Sequence, residues 1–167
     1  GIGTAVAMLL RLVWEHEVDL IMGDISLASA QAAQKVLEDA GDANGTITPL
    51  CMSNDWEASV GKADILLDCL PGKLAPQMAK VALRNQMHYV NLTEYVAETK
   101  EILKLAEGAS VGLALQSGLA PGFVNVLAHG LFKDFCSDFS VNTAERLEMR
   151  VGALGRNAIA PHFYAFT

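Results

Sequence analysis

A doubly wound, parallel α/β sheet is the fold class this sequence predicts, and three observations predict it. Short apolar runs alternate with segments whose apolar residues recur at helical spacing, from residue 3 to residue 135. The runs are nearly continuous in apolar residues, as strands buried on both faces are. The connections are short and carry glycine, proline and capping residues. The most informative connection is Gly118-Leu119-Ala120-Pro121-Gly122-Phe123-Val124-Asn125, which hands a strand over to a helix. In open α/β sheets, that corner at the carboxyl end of a strand is where ligands bind. Its glycines admit a close backbone approach, and the helix start offers unpaired N–H groups. A tight turn built from ordinary breakers would look the same.

Taken in order, residues 3–15 read as a helix with Val6, Leu9, Leu10 and Val13 on one face. Val18 to Met22 is a short strand ending at Gly23-Asp24. Ser26 can cap the next helix, which carries Leu27, Ala30, Ala33 and Leu37 and stops at Gly41. Thr46 to Met52 is a β-branched strand, and Asn54 to Val60 a short helix or turn. Ala63 to Leu70 is a strand ending at Pro71-Gly72, and Pro76 marks a helix start running to about Asn85. His88 to Leu92 is a strand, followed by a helix from about Glu94 to Glu107 and a stop at Gly108. The strand at 111–115, the opening turn and a helix from 122 to about 135 complete the alternation. Arg146 to Val151 then alternates apolar and charged residues, which predicts a half-buried, antiparallel or mixed strand. The expected organisation is a nucleotide-binding domain over 1–139 and the start of a second α/β domain over 140–167.

Half of the residues are hydrophobic and 19% are charged, enough for a packed core and too apolar for disorder. The net charge of -7, without a basic patch, argues against nucleic acid and anionic membranes as partners. Cys51, Cys69 and Cys136 are widely spaced and odd in number. No metal site is expected from them, and reduced, mostly buried thiols in a cytoplasmic protein are the simplest account. The apolar stretch from Val6 to Val13 has no basic leader, and Arg11, Glu15, His16 and Glu17 interrupt it too early for a membrane span. Both ends read as cut, the second within the aromatic run His162-Phe163-Tyr164-Ala165-Phe166.

Dinucleotide-binding folds open with a strand, a G-x-G-x-x-G turn and a helix. This chain starts on the helix, at Gly1-Ile2-Gly3-Thr4-Ala5-Val6, so the first strand is expected to be missing. Either Gly1 and Gly3 are the first two glycines, or Gly3 is the third; the second register fits the spacing better. Asp24 then lies 21 residues after Gly3, at a strand end, where a carboxylate can accept the ribose hydroxyls of an adenosine. An acid there, with no Arg close behind, favours NAD over NADP. A turn or helix-capping role is the alternative for Asp24. Leu70-Pro71-Gly72 occupies the loop that runs beside the ribose and pyrophosphate in such folds. A plain strand-ending turn is the other reading.

With these loops placed, the chain resembles the saccharopine dehydrogenase family, in particular its lysine 6-dehydrogenase-like branch. The matching segments are Gly3 to Ala7, Ala63 to Pro71, His88 to Glu94, Gly118 to Asn125 and Arg150 to Leu154, in the family's order. The resemblance implies a Rossmann-like NAD(P)-binding domain followed by a substrate domain that often carries dimer contacts. It also implies hydride transfer between nicotinamide and a carbon bearing nitrogen, on lysine or a lysine-derived amino acid. The full-length protein is expected to be a homodimer. Gly155 stands where a Leu-Pro step is common in the family.

Hydride transfer at a C–N centre needs a base near the nitrogen and a dry pocket. Glu94, just beyond a strand, is the candidate base or ammonium holder, although an acid stabilised by a helix dipole is the plainer reading. Tyr95 is a candidate hydrogen-bond donor to substrate or cofactor, against a packing role. Gly118, Pro121, Gly122 and Asn125 are candidates for the nicotinamide end, with Gly1, Gly3, Asp24, Leu70 and Pro71 completing the cofactor set. Asn125 would equally serve as a first-turn helix residue. Cys69 reads as core, and His88 and His129 as structural histidines. A saccharopine-type reductase with another amine substrate, and a non-catalytic module on the same fold, are the competing readings.

Overall fold

The computed structural model describes residues 1–13, 18–41, 45–53, 55–60 and 63–152. The strands and helices alternate as α1 (Ile2–Val13), β1 (Leu20–Asp24), α2 (Leu27–Asp39), β2 (Ile47–Cys51), α3 (Glu57–Val60), β3 (Ile65–Asp68), α4 (Ala75–Arg84), β4 (His88–Asn91), α5 (Val96–Leu105), β5 (Leu113–Ala114) and α6 (Phe123–Phe139). Every strand pairing among the described residues is parallel, so the expected doubly wound class holds. The strands form two sheets, β1-β2 and β3-β4-β5.

Local signals account for the elements. Ser26 sits in an extended conformation and its hydroxyl accepts the Ser29 N–H, which caps α2. Pro76 lies in the first turn of α4, where a missing N–H costs nothing. In β1-β2 the register places Asp24 opposite Cys51, and in β3-β4 it places Asp68 opposite Asn91. Both pairs therefore stand at the carboxyl ends of their strands.

The core lies on β4 and the helices beside it. Tyr89, Ile102, Ala79 and Ala82 are fully buried, with Met87 and Ala75 at 1% exposure. The alanines on α4 let that helix approach β4 and α5 closely. Leu37 of α2 is equally buried against the smaller sheet.

Several expectations are corrected. α1 buries Ala7, with Gly3, Val6 and Leu10 half-buried, while Leu9 and Val13 point outward. The helix packs through its small residues, so its largest apolar side chains do not mark the inner face. β5 is only Leu113–Ala114, because Gln116 takes a positive φ that ends the extended chain. α6 runs on to Phe139 and stops at Ser140 in a left-handed conformation. Arg146 to Val151 forms no strand; Leu147, Met149 and Val151 are each about half exposed. Alternation becomes a strand only when a neighbour supplies hydrogen bonds, and none does so among the described residues. The three free cysteines are half-buried rather than core. Asn54, the acidic and histidine residues 15–17, the Ala153–Gly155 step and the aromatic run at 162–166 lie outside the described residues.

Ile102→Ala is expected to cost about 3 kcal/mol of unfolding free energy in denaturant titration. Leu9→Ala, at 60% exposure, is expected to stay within about 0.5 kcal/mol of the parent.

Candidate dinucleotide site

The loops that follow β1, β3, β4 and β5 all leave the same carboxyl edge of their parallel sheets. In the smaller sheet this edge presents Asp24. One carboxylate oxygen of Asp24 accepts the Ser26 N–H at 2.9 Å, and the Asp24 carbonyl accepts the Met52 N–H at 2.8 Å. The side chain thus shapes the turn into α2 while standing at the strand end. Beside it, the Cys51 thiol lies 3.0 Å from the Ser53 hydroxyl, and that hydrogen bond holds its pKa below the ordinary thiol range.

In the larger sheet, Asp68 is 5% exposed and its Oδ1 accepts the Leu70 N–H at 2.9 Å. Burial pushes the Asp68 carboxyl up from its usual range, partly opposed by that amide and by the Tyr89 hydroxyl. Pro71 then starts a 3-10 turn over Gly72–Leu74, closed by the Leu74 N–H on the Pro71 carbonyl at 2.9 Å. Gly72 lies so close to Thr93 and Tyr95 that a Cβ there would collide with both side chains. Glycine at this position therefore lets the loop after β3 touch the loop after β4. The Thr93 hydroxyl accepts the Tyr95 N–H at 3.3 Å, and Tyr95, 43% exposed, stands at the start of α5. Glu94 is exposed beside it.

The turn after β5 is held from β4. Gln116 N–H donates to the Asn91 side-chain oxygen and Ser117 N–H to the Asn91 carbonyl, both at 2.9 Å. Gly118 and Gly122 bridge one another, the Ala120–Pro121 bond is cis, and Gly122 takes φ of 129°. A side chain at Gly122 would collide with the Gly118 backbone. Asn125 Oδ1 accepts the Gly122 N–H at 3.0 Å, so this residue closes the first turn of α6.

At the other end of the chain, the Gly1 carbonyl accepts the Ala5 N–H and opens α1. Gly3 packs on Cys69, where a Cβ would make ordinary contact at 3.6 Å. His88 Nδ1 accepts the Gly112 N–H at 2.8 Å, a structural use of that histidine. Among the described residues no group of His, Cys, Asp or Glu could hold a metal ion. None of the described helices is long and apolar enough to cross a membrane.

The structure therefore gathers Pro71, Gly72, Thr93, Tyr95 and the Gln116–Gly122 turn along the edge of the larger sheet, and Asp24 on that of the smaller. Sequence reasoning missed Asp68, Tyr89 and Asn91, which lie beneath these loops. A signal was present for two of them: Asp68 and Asn91 are polar side chains at the last positions of β3 and β4.

The saccharopine dehydrogenase NADP binding domain model matches residues 1–114. The chain belongs to this family. Among solved structures, the family's chain here is similar to the apo form of a saccharopine dehydrogenase (L-Glu forming) from Saccharomyces cerevisiae, with TM-score 0.60 and 17% identity, covering 78% of this chain and 28% of that one. It is also similar to an NAD-binding oxidoreductase from Klebsiella pneumoniae, with TM-score 0.50 and 19% identity, covering 81% of this chain and 34% of that one. At these identities the likeness is one of fold, and the chain spans about a third or less of either relative. No curated protein matches. The family implies a nicotinamide cofactor, and its name leans to NADP where the Asp24 argument leans to NAD. One feature of the residues present fits such a group: the Asp24 carboxylate stands at a strand end with no cation before Lys35.

Gly122→Ala is expected to destabilise by at least about 1–3 kcal/mol, since it strains the backbone and strikes Gly118. Gly130→Ala, in the open interior of α6, is expected to stabilise by about 0.5–1 kcal/mol. Thermal unfolding of the two variants checks both signs.

Proposed function

We propose that this chain is the NAD-binding part of an oxidoreductase that acts on a C–N bond of lysine or a lysine-derived amino acid. The observation that carries the reading is the placement of Asp24 and of the Pro71 and Gly118–Gly122 turns at the carboxyl edge of parallel strands, within a chain of this family. Asp24 would hold the adenosine ribose through its carboxylate. Gly1 and Gly3 at the start of α1, and Leu70 and Pro71, would lie along the pyrophosphate and ribose. Gly118, Pro121, Gly122 and Asn125 would frame the nicotinamide end. When bound, the nicotinamide supplies the hydride acceptor or donor.

Glu94, exposed just beyond β4, would take a proton from, or hold, a substrate ammonium. Tyr95 beside it would orient the substrate and shield the edge from water. The substrate-facing groups of the second domain, expected to start near residue 140, would close the site, and the full-length protein would act as a cytoplasmic homodimer. Saccharopine, or another secondary amine, is the second reading, and the family's own name favours it.

Two measurements test this. Calorimetric titration of NAD and NADP is expected to show Asp24→Ala weakening NAD by about tenfold, roughly 1.4 kcal/mol, and NADP by less. Equal losses would remove the ribose assignment. The full-length protein is expected to form NADH from NAD with lysine, followed by near-ultraviolet absorbance. Turnover with saccharopine and none with lysine would move the assignment to the second reading.

A further inference from the structure

Three polar side chains are buried where the sequence pattern calls for apolar ones. Asp68 is 5% exposed, Asn91 is 1% exposed and Tyr89 is fully buried. Buried polar groups cost stability unless they are hydrogen-bonded, and apolar residues of similar volume would fill such sites without that cost. What these three obtain for their burial is specific. Asp68 Oδ1 takes the Leu70 amide and Asn91 Oδ1 takes the Gln116 amide, each at 2.9 Å. Both amides belong to loops, and both loops stand at the candidate dinucleotide edge.

Tyr89 joins the two. Its hydroxyl donates to Asp68 Oδ2 at 2.7 Å and lies 3.1 Å from the Ala75 carbonyl at the start of α4. The Asn91 amide donates to the same hydroxyl oxygen at 3.4 Å. One hydroxyl thus touches β3, β4 and the first residue of α4. The network reaches the turn at Gln116, whose positive φ is unfavourable for a residue with a side chain and needs an external hold. The Asn91 side chain and the Asn91 carbonyl, through Ser117, supply that hold on consecutive residues.

We propose that Asp68, Tyr89 and Asn91 are positioning residues, which hold the Leu70–Leu74 loop and the Gln116–Gly122 turn in one rigid frame for the dinucleotide. That these loops face a dinucleotide rests on the function proposed above; that the network holds them does not.

Amide hydrogen exchange of the whole chain, read residue by residue by NMR, tests the frame directly. The Leu70 and Gln116 amides are expected to be protected like strand amides. Asn91→Ala is expected to release the Gln116 amide by at least about tenfold, with the Tyr89 amide in β4 unchanged. Asn91→Asp keeps the acceptor and is expected to retain protection at Gln116. Asp68→Ala is expected to release Leu70, and Asp68→Asn to retain it. Unprotected Leu70 and Gln116 amides in the parent chain would overturn the proposal even if the alanine variants did not fold. So would a uniform loss of protection along β4 in the variants, which is the mark of a merely structural role. Titration with NAD separates the two ideas: Asn91→Ala and Asp68→Ala are expected to bind at least about tenfold more weakly. A parent chain that binds neither NAD nor NADP overturns the cofactor reading, while the exchange pattern still decides the frame.

Discussion

β4 is the strand on which the larger half of this chain depends. It is the only described strand paired on both sides, to β3 and to β5, and both pairings are parallel. Parallel pairing puts the carboxyl ends of the three strands on one edge, so the loops that leave them meet. Its four residues divide the work. Tyr89 is fully buried and packs among Met87, Ile102 and the α4 alanines, and Asn91 carries the hydrogen bonds that reach past the strand end. Hydrophobic burial fixes where the strand lies, and the polar atoms at its end fix where the next loop goes.

This division explains which features were legible in the sequence. The Pro71-Gly72 turn and the Gly118–Gly122 turn announce themselves, because a backbone at φ 129° or a collision-free approach to a neighbour demands glycine locally. Ser26 and Pro76 mark their helices for equally local reasons. Asp24 stands out because it lies 21 residues after Gly3, at the end of the next strand. The Asp68–Tyr89 bond joins residues 21 positions apart, and it exists only once β3 and β4 are in register. No window of sequence contains it. The face of α1 was misread for a related reason. Amphipathic patterning favours large side chains, and this helix approaches its neighbour through Gly3 and Ala7.

The strand expected at Arg146 to Val151 failed for a different reason. Its alternation is real in the sequence, where Leu147, Met149 and Val151 alternate with Glu148 and Arg150. A strand is a relation between two chains of backbone, and period-two alternation describes only one of them. Leu147 instead lines a shallow apolar recess with Leu131 and Phe135 of α6. The same helix leaves Phe123, Val126, Leu127 and Leu131 exposed. The alternation of this region therefore yields one apolar side chain against α6 and no strand.

The separation of the two sheets bears on how a dinucleotide would act. Asp24 belongs to β1-β2, whereas Pro71 and the Gly118–Gly122 turn belong to β3-β4-β5. No backbone ladder joins these sheets among the described residues, and α1 is among the elements that connect them: it packs on α2, its Arg11 donates to the Gly45 carbonyl at 3.2 Å, and its Gly3 meets Cys69 beyond β3. A ligand bound at Asp24 and at the glycine turns together would touch both sheets. Its binding free energy would then also favour one arrangement of the sheets, stabilising the folded chain in proportion to the logarithm of ligand concentration. Under the proposed function, the rigid frame of Asp68, Tyr89 and Asn91 makes the larger sheet the fixed partner in that arrangement. The smaller sheet, which carries Asp24, would be the part that docks against it.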